Sequence, residues 1–323
     1  MFSRKRLSLC LVSCVFCLGY GWAGAQSYPA KTVRIIVPAA PGGGTDLVAR
    51  VLAQHFSESL GQPFVVDNRG GAGTTLGSAI LAKSPPDGYT LILHHVSLAF
   101  NASYYRKLPY DTLKDFAPIT LVAQQPFLVV VHPSLPVKSM KELIALAKSR
   151  PGGIAYGTGG AGSGPHMSAE LLKLTAHIDL LTVPYKGAGP AFIDLMSGQV
   201  QMMIATMSLA LPHAKAGRVR ALAVTSPQRH PVVPELPAVA ETVPGYRYLV
   251  WYGLFAPAGT PPPIIQRLNT AAVKILQARD TQEKLAAEGL ETKTSTPEEF
   301  AAYFKSEVET WAKVVNAAGI HAD

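Results

Sequence analysis

From Thr32 to Phe255, short β-rich runs alternate with amphipathic stretches, and that alternation limits the chain to an α/β fold built on mainly parallel strands. Thr32 to Val37 reads as a buried strand. After a glycine loop, Leu47, Val48, Val51, Leu52, His55, Phe56 and Leu60 recur at helical spacing. Phe64 to Asp67 is a second strand, Leu76 to Ala82 a short helix, and Pro86-Asp87-Gly88 a turn feeding a strand from Thr90 to Leu93. A second unit starts near Phe127 to Val131, followed by a helix capped by Ser139 with Glu142. Further strands are expected at Ile154–Tyr156, Leu180–Val183, Met202–Ala205, Arg220–Val224 and Leu249–Phe255. The rest is helical: Thr260 followed by Pro261, Asp280 with Glu283, and Thr296-Pro297 with Glu299 are start signals, and Gly289 is a stop. Leu128 to Pro133 and Leu254 to Pro257 share one pattern of strand, proline turn and capped helix. They read as segments just after two crossings between lobes, although a single large sheet fits the composition equally.

The first residues bear on the compartment. Arg4, Lys5 and Arg6 precede an apolar run from Leu7 to Leu18, and Ala23-Gly24-Ala25 offers a signal-peptidase site. Residues 1–25 are therefore expected to be removed on export, leaving Gln26 first. Leu11-Val12-Ser13-Cys14 loosely mimics a lipoprotein box, but cleavage there leaves a very short leader with apolar residues straight after it. All three cysteines, Cys10, Cys14 and Cys17, fall in the leader, which removes thiol nucleophiles, disulfides and zinc–thiolate sites from the exported chain. Such a chain is held together by core burial alone, and about 300 residues suffice for roughly two domains. Without the three leader bases the net charge of +8 falls to +5, spread along the chain with no basic run. Nucleic acid is not an expected partner.

Two glycine-rich loops carry the chemistry. Pro38-Ala39-Ala40-Pro41-Gly42-Gly43-Gly44-Thr45-Asp46 and Tyr156-Gly157-Thr158-Gly159-Gly160-Ala161-Gly162-Ser163-Gly164-Pro165-His166 each lie between a strand and a helix. There the helix presents unpaired N–H groups and its positive dipole end, and glycine lets a ligand approach the backbone closely. Such loops bind carboxylate or phosphate without a basic side chain, at the strand ends where open α/β folds hold ligands. One triple glycine more often just turns a chain; two in equivalent positions point to a clasp around an anion. Asp46 is read as a cap that also shapes the pocket.

Other chemistries lack support. Gly157 to Gly162 matches G-x-G-x-x-G, but the acidic residue expected at the end of the next strand is missing, since Asp179 lies at that strand's start. No Gly-Lys-Ser/Thr follows Gly42 to Gly44, and no G-x-S-x-G elbow exists for Ser97, Ser163, His94, His95 or His166 to serve. Adjacent strand histidines point to opposite faces, so His94-His95 does not hold one metal. Met202, Met203 and Met207 read as core. No cofactor, metal or catalytic residue is expected, and the chain reads as a monomer.

At these residues the sequence resembles the tripartite tricarboxylate transporter substrate-binding proteins, also called Bug proteins. The resemblance runs through Tyr28-Pro29, Pro41 to Asp46, Asp67-Asn68-Arg69 with Gly71-Ala72-Gly73, Pro86 to Thr90, Leu108 to Asp111 and Gly162 to His166. It continues through Pro184-Tyr185-Lys186-Gly187, Leu211-Pro212-His213, Lys215 to Gly217, Leu222 to Thr225, Trp251-Tyr252-Gly253, Ala256-Pro257 and Thr296 to Glu298. It implies a periplasmic, two-lobed binding-protein fold of type II-like architecture with the ligand cleft between lobes. Residues 26–123 and 250–323 would form lobe 1 and residues 124–249 lobe 2. The implied function is capture of a small carboxylate, such as a di- or tricarboxylate, an amino acid or an aromatic acid. Delivery to an inner-membrane two-component permease is implied for some members and signalling for others. The alternatives are a sensor's ligand-presenting partner without a permease, and an exported enzyme acting on a small acid. Ligand contacts are expected from Ala40, Gly42, Gly43, Gly44, Thr45, Asp46, Ser97, Thr158, Gly159, Gly160, Ser163, His166, Lys186 and Thr206.

The chain departs from the family pattern at His94-His95-Val96, at Gln201 and at Ala205-Thr206, positions expected to face the variable end of the ligand. Either His94 or His95 is expected in the cleft, with binding that tightens as pH falls through the histidine range.

Overall fold

The computed structural model describes residues 28–322. The leader, its cysteines and the cleavage site lie outside the described residues. The chain runs β1 (Val33–Val37), α1 (Gly44–Leu60), β2 (Phe64–Asn68), α2 (Thr75–Ala82), β3 (Thr90–His95), α3 (Ser97–Tyr104) and β4 (Phe116–Val131). There follow α4 (Met140–Ser149), β5 (Ala155–Thr158), α5 (Gly164–Ala176), β6 (Leu181–Pro184), α6 (Ala188–Met196), β7 (Met202–Thr206), α7 (Met207–Lys215) and β8 (Arg220–Val224). The return is β9 (Leu249–Pro257), α8 (Pro262–Gln277), α9 (Arg279–Ala286), β10 (Glu291–Thr292) and α10 (Pro297–Ala318).

The fold is a two-lobed α/β architecture in which β4 belongs to both halves. Its first part, Phe116 to Pro126, pairs antiparallel with β9, and β9 pairs in turn with β3. From Phe127 to Val131 the same strand pairs with β7 and β8 instead. The overall strand order is β2-β1-β3-β9-β4-β7-β5-β6. Within each half the glycine-loop strands are parallel, β1 between β2 and β3, and β5 between β6 and β7. The crossing strands are antiparallel to their neighbours, so the sheet is more mixed than the alternation alone predicts. The crossing is locked by Thr225, whose N–H donates to Phe127 O and whose carbonyl accepts the Tyr248 N–H.

Burial explains the layers. The β1 run Val-Arg-Ile-Ile-Val is covered on both faces, as a central parallel strand must be. α1 buries Val48, Val51, Leu52 and Phe56 and stops at Gly61, which takes the left-handed cap. Beyond the crossing, alternate residues of β4 and β7 divide between two cores. Val129, Val131, Met202 and Ile204 join a core with Leu143, Met167 and Leu172, whereas Leu128, Val130, Met203 and Ala205 join Phe192 and Leu195. Met202, Met203 and Met207 are all buried. The two halves do not have wholly separate cores. On the α5 side the core continues into the first half through Tyr248 and Trp311, whose rings lie 5.5 Å apart.

Local signals account for most boundaries. Ser139 accepts the Glu142 N–H at the start of α4, and Thr296 with Glu299 forms the reciprocal capping box of α10. Thr260 does not cap α8: its hydroxyl turns back to Pro257 O, and Pro261 holds the cap position. β4 begins at Phe116, well before the run read as a strand. Pro118 and Pro126 mask it in the sequence, because proline normally argues against a central strand.

Candidate functional site

The carboxyl ends of β1, β2 and β3 lead into α1, α2 and α3, and those of β5, β6 and β7 into α5, α6 and α7. The two sets face each other. Tyr104 of α3 lies against Gly162 of the second glycine loop, and Gly289 of the α9–β10 turn lies against Met207 at the start of α7. A cavity of about 350 Å³ between them is lined by Gly42, Gly43 and Gly44 on one side and by Thr206 and Ser208 on the other, with Gln125 and Tyr252 also in its wall. A larger groove of about 710 Å³ lies between α1, α8 and α9 and is lined by none of these strand ends.

In the first loop, Gly42 adopts φ 87°, a left-handed turn suited to glycine. Its N–H donates to Asp46 Oδ2 at 2.9 Å, the oxygen that also accepts Arg50 Nε at 2.9 Å, while Asn68 Nδ2 donates to Oδ1 at 3.0 Å. Burial alone would push the Asp46 carboxyl up, but the bonds from Arg50, the Gly42 amide and Asn68 outweigh it and hold the group below its usual range. Asp46 thus holds the loop in shape from behind. Gly43 is the N-cap of α1, and a Cβ there would meet no atom within 4 Å. Gly44 is different: a Cβ would come within 2.6 Å of Tyr252 Oη. That hydroxyl accepts Gln125 Nε2 at 2.7 Å. Thr45 is buried in the first turn of α1, and Ala40 is exposed in the loop ahead of it.

The second loop is built alike. Thr158, fully buried, accepts the Gly160 N–H through its hydroxyl at 3.2 Å. Ser163 caps α5 by accepting the His166 N–H at 3.4 Å. His166 is buried, and its Nδ1 accepts the Gly162 N–H at 3.1 Å, which places the ring behind the loop. Gly159 packs on Gly187 and on the amide of Ala188 at the start of α6, beside exposed Lys186. Gly160 has φ 113°, and a Cβ would lie 3.2 Å from Tyr185 O.

Ser97 opens α3, buried, with its hydroxyl 3.2 Å from Thr74 Oγ1 and 3.4 Å from His95 Nε2. Asn101 ties this corner together by donating to Gly73 O at 2.8 Å and Thr74 Oγ1 at 3.1 Å. That bracing holds Ala72 and Thr74, both non-glycine residues with positive φ of 45° and 81°. The two histidines point apart, as adjacent strand residues do. His94 points into the core, 3.0 Å from Ser78 Oγ, and only His95, partly exposed, leans over the α3 start. The expected titration does not follow. Burial pushes His95 down to about 4 and His94 well below its ordinary value, so both rings are neutral throughout the usual histidine range. Gln201 also misses the cleft. It precedes β7 at the end opposite Thr206, where its Oε1 accepts the Ala155 N–H at 2.9 Å.

Sequence reasoning missed Gln125, Tyr252, Ser208, Thr74 and Asn101. A signal for some of them lies in the Trp251-Tyr252-Gly253 and Gly71-Ala72-Gly73 motifs, which do not by themselves translate into contacts. His95 Nδ1 faces the Ser97 N–H at 3.3 Å rather than a carboxylate, so the Ser97–His95 pair has no orienting acid. Among the described residues no group of three His, Cys, Asp or Glu is placed to hold a metal, and no helix is long and apolar enough to cross a membrane.

Comparison with known proteins identifies the family. The tripartite tricarboxylate transporter family receptor profile matches residues 48–320. Protein BugT of Bordetella pertussis is 40% identical over 300 residues, covering 91% of this chain and 91% of BugT. A Rhodopseudomonas palustris protein solved with adipate is 38% identical with a TM-score of 0.81, covering 91% of this chain and 99% of its own. MatC from the same organism, solved with bound malate, is 34% identical with a TM-score of 0.78, covering 89% of this chain and all of its own. The chain therefore belongs to the tripartite tricarboxylate transporter receptor family, the Bug-type solute-binding proteins.

Proposed function

We propose that the protein captures a small carboxylate-bearing solute in the periplasm, holding it between the two glycine loops, and hands it to a two-component permease of the tripartite tricarboxylate type. The observation that carries this reading is the equivalence of the loops. Each ends a parallel strand and opens a helix, an arrangement suited to an anion; the first loop lines the cavity with Gly42 to Gly44, and Thr206 and Ser208 face it. Family membership and the adipate and malate bound by relatives support the carboxylate class.

Backbone contacts in this reading come from Gly43 to Thr45 in the first loop and from Gly159 in the second, since the Gly42, Gly160 and Gly162 amides are spent on Asp46, Thr158 and His166. Ala40, Ser97, Lys186 and Thr206 shape the rim, while Asp46 and His166 hold the loops from behind. The lobes, assigned as residues 26–123 with 250–323 and as residues 124–249, close about the crossings. Bending is expected near Ala123–Gln125 and Tyr248–Val250, beside the change of strand partners at Pro126–Phe127.

Native mass spectrometry of protein purified without refolding identifies the bound acid, and calorimetry with adipate and malate measures it. Gly43→Val is the decisive variant: φ at Gly43 is −88° and its Cβ direction is open, so the fold is kept while the side chain fills the cleft. Loss of binding in a folded Gly43→Val protein is expected, and unchanged affinity refutes the backbone clasp. Gly160→Val tests less, because the left-handed φ strains any side chain there.

A further inference from the structure

The two loops share a brace made from different chemistry. In each, the third residue of the following helix reaches back four positions and accepts a loop glycine N–H, Asp46 from Gly42 and His166 from Gly162. Gly44 and Gly164 open their helices, so Asp46 and His166 occupy the same place in the first turn. Gly42 and Gly162 both take positive φ, 87° and 69°, at the turned residue. A carboxylate accepts a hydrogen bond wherever it is ionised. An imidazole nitrogen accepts only while it is bare.

The His166 ring is consequently fixed in one tautomer. With Nδ1 accepting from Gly162, the neutral ring carries its proton on Nε2, which lies 3.8 Å from Glu170 Oε1. A second proton has only Nδ1 to go to, where it would meet the Gly162 N–H donor against donor.

The charged groups that act on the ring are Glu170 and Lys173 from α5; Tyr156 of β5 reaches Glu170, and Tyr104 of α3 lies against Gly162. Glu170 Oε1 already accepts the Tyr156 hydroxyl at 2.7 Å and Lys173 Nζ at 3.0 Å, so its attraction for a charged imidazole is shared. Tyr104 presents its ring to Gly162 and closes that side. Burial holds His166 below the ordinary histidine range, with Glu170 opposing and Lys173 assisting.

We propose that His166 is an acid-labile positioning residue: when Nδ1 takes a proton from water, the Gly162 bond is lost and the second loop's backbone is freed, while Asp46 keeps the first loop braced. This rests on the clasp reading above, and it adds an acid-triggered release confined to one half of the clasp. The window has two ends. It opens as pH falls through the His166 titration, and it closes only where the Asp46 carboxyl protonates, itself held below its usual range.

The test needs no ligand to begin. Ring nitrogen shifts of His166 and the hydrogen-exchange protection of the Gly162 amide are followed by NMR on purified protein from about pH 8 to about pH 5. The expected result is an Nε2–H tautomer at neutral pH and Gly162 protection lost in step with ring protonation. His166→Gln, whose Oε1 accepts at every pH, keeps Gly162 protected throughout. An Nδ1–H tautomer, a ring still neutral at the acid end, or protection that does not follow the ring overturns the proposal.

Calorimetry with adipate gives a second readout. Wild type is expected to lose about tenfold more affinity than His166→Gln over the same range, the worth of about one charge-assisted bond. Adipate's own titration is common to both proteins and cancels in the ratio. Equal pH profiles overturn the release. Absence of adipate binding to wild type at any pH counts against adipate as a ligand, and the tautomer and protection measured by NMR then decide the proposal alone.

Discussion

Around the first glycine loop the bracing is ionic. Asp46, nearly buried, gathers an amide, an asparagine and an arginine, and Asn68 reaches in from the neighbouring strand to hold Ala39 O as well. Around the second loop it is neutral: a threonine hydroxyl, a serine cap and an imidazole each take one backbone N–H. The backbone shape that results is nearly the same. In the proposed clasp the loop backbone must be held in a set direction, and in both halves a buried acceptor at the third helical position supplies this. The choice of acceptor then decides how each half answers to pH.

The largest expected effect tests that ionic brace. Asp46→Ala removes the acceptor for three donors and leaves the Gly42 amide without one, while Asn68 keeps Ala39 O, which is expected to cost about 2 kcal/mol. The urea midpoint should fall accordingly, and binding should be lost with it. The pH sign follows from a carboxyl depressed in the fold. Its stabilisation is complete above the unfolded value of about 4 and is lost as pH falls through the lower folded value. A variant whose urea midpoint matches wild type at neutral pH would show that the first loop does not depend on its brace.

A smaller effect separates the two helix-opening glycines. A Cβ at Gly44 would lie 2.6 Å from Tyr252 Oη, and one at Gly164 would lie 2.9 Å from Tyr248 Oη. Each alanine variant is expected to cost about 1–2 kcal/mol by overpacking against a tyrosine of the crossing segment. Removing the hydroxyls should break the symmetry. Tyr248 Oη is buried with no hydrogen-bond partner, so Tyr248→Phe is expected to be neutral or stabilising. Tyr252 Oη accepts Gln125 Nε2, so Tyr252→Phe is expected to cost about 1 kcal/mol. Tyr252→Phe should nevertheless rescue part of the Gly44→Ala loss in a double-mutant cycle on unfolding midpoints. Purely additive losses would remove Tyr252 as the reason for glycine at position 44.

How much of this was legible follows from where the signal sits. Both loops could be read because glycine runs between strand and helix patterns are local, and the caps at Ser139 and Thr296 are local too. The strand β4 was half hidden by its prolines. The contacts of Tyr252 with Gln125, and of Asn101 with Gly73, join residues far apart in sequence and leave no period to detect. His166 illustrates the limit well. The sequence places it at the loop, but only the Nδ1 bond to Gly162 shows that it faces the loop's back.

The smallest expected effect concerns His95, the titratable ring nearest the strand end that the family pattern does not supply. If cleft histidines governed pH response, His95→Gln would flatten it. The ring, however, is held down to about 4 by burial, so it stays neutral over the span from about pH 8 to about pH 5 followed for His166. Its nitrogens are also engaged locally, at 3.3 Å from the Ser97 amide and 3.4 Å from the Ser97 hydroxyl, and glutamine offers an acceptor of similar reach for the first of these. His95→Gln should therefore leave the pH profile of adipate binding superimposable on wild type, with affinity changed by less than about threefold at neutral pH. His166→Gln should change the profile and little else. Calorimetry of the two variants in parallel decides which histidine reads the proton: a flat profile in His95→Gln with a sloping one in His166→Gln would exchange the roles assigned to the two halves of the cleft.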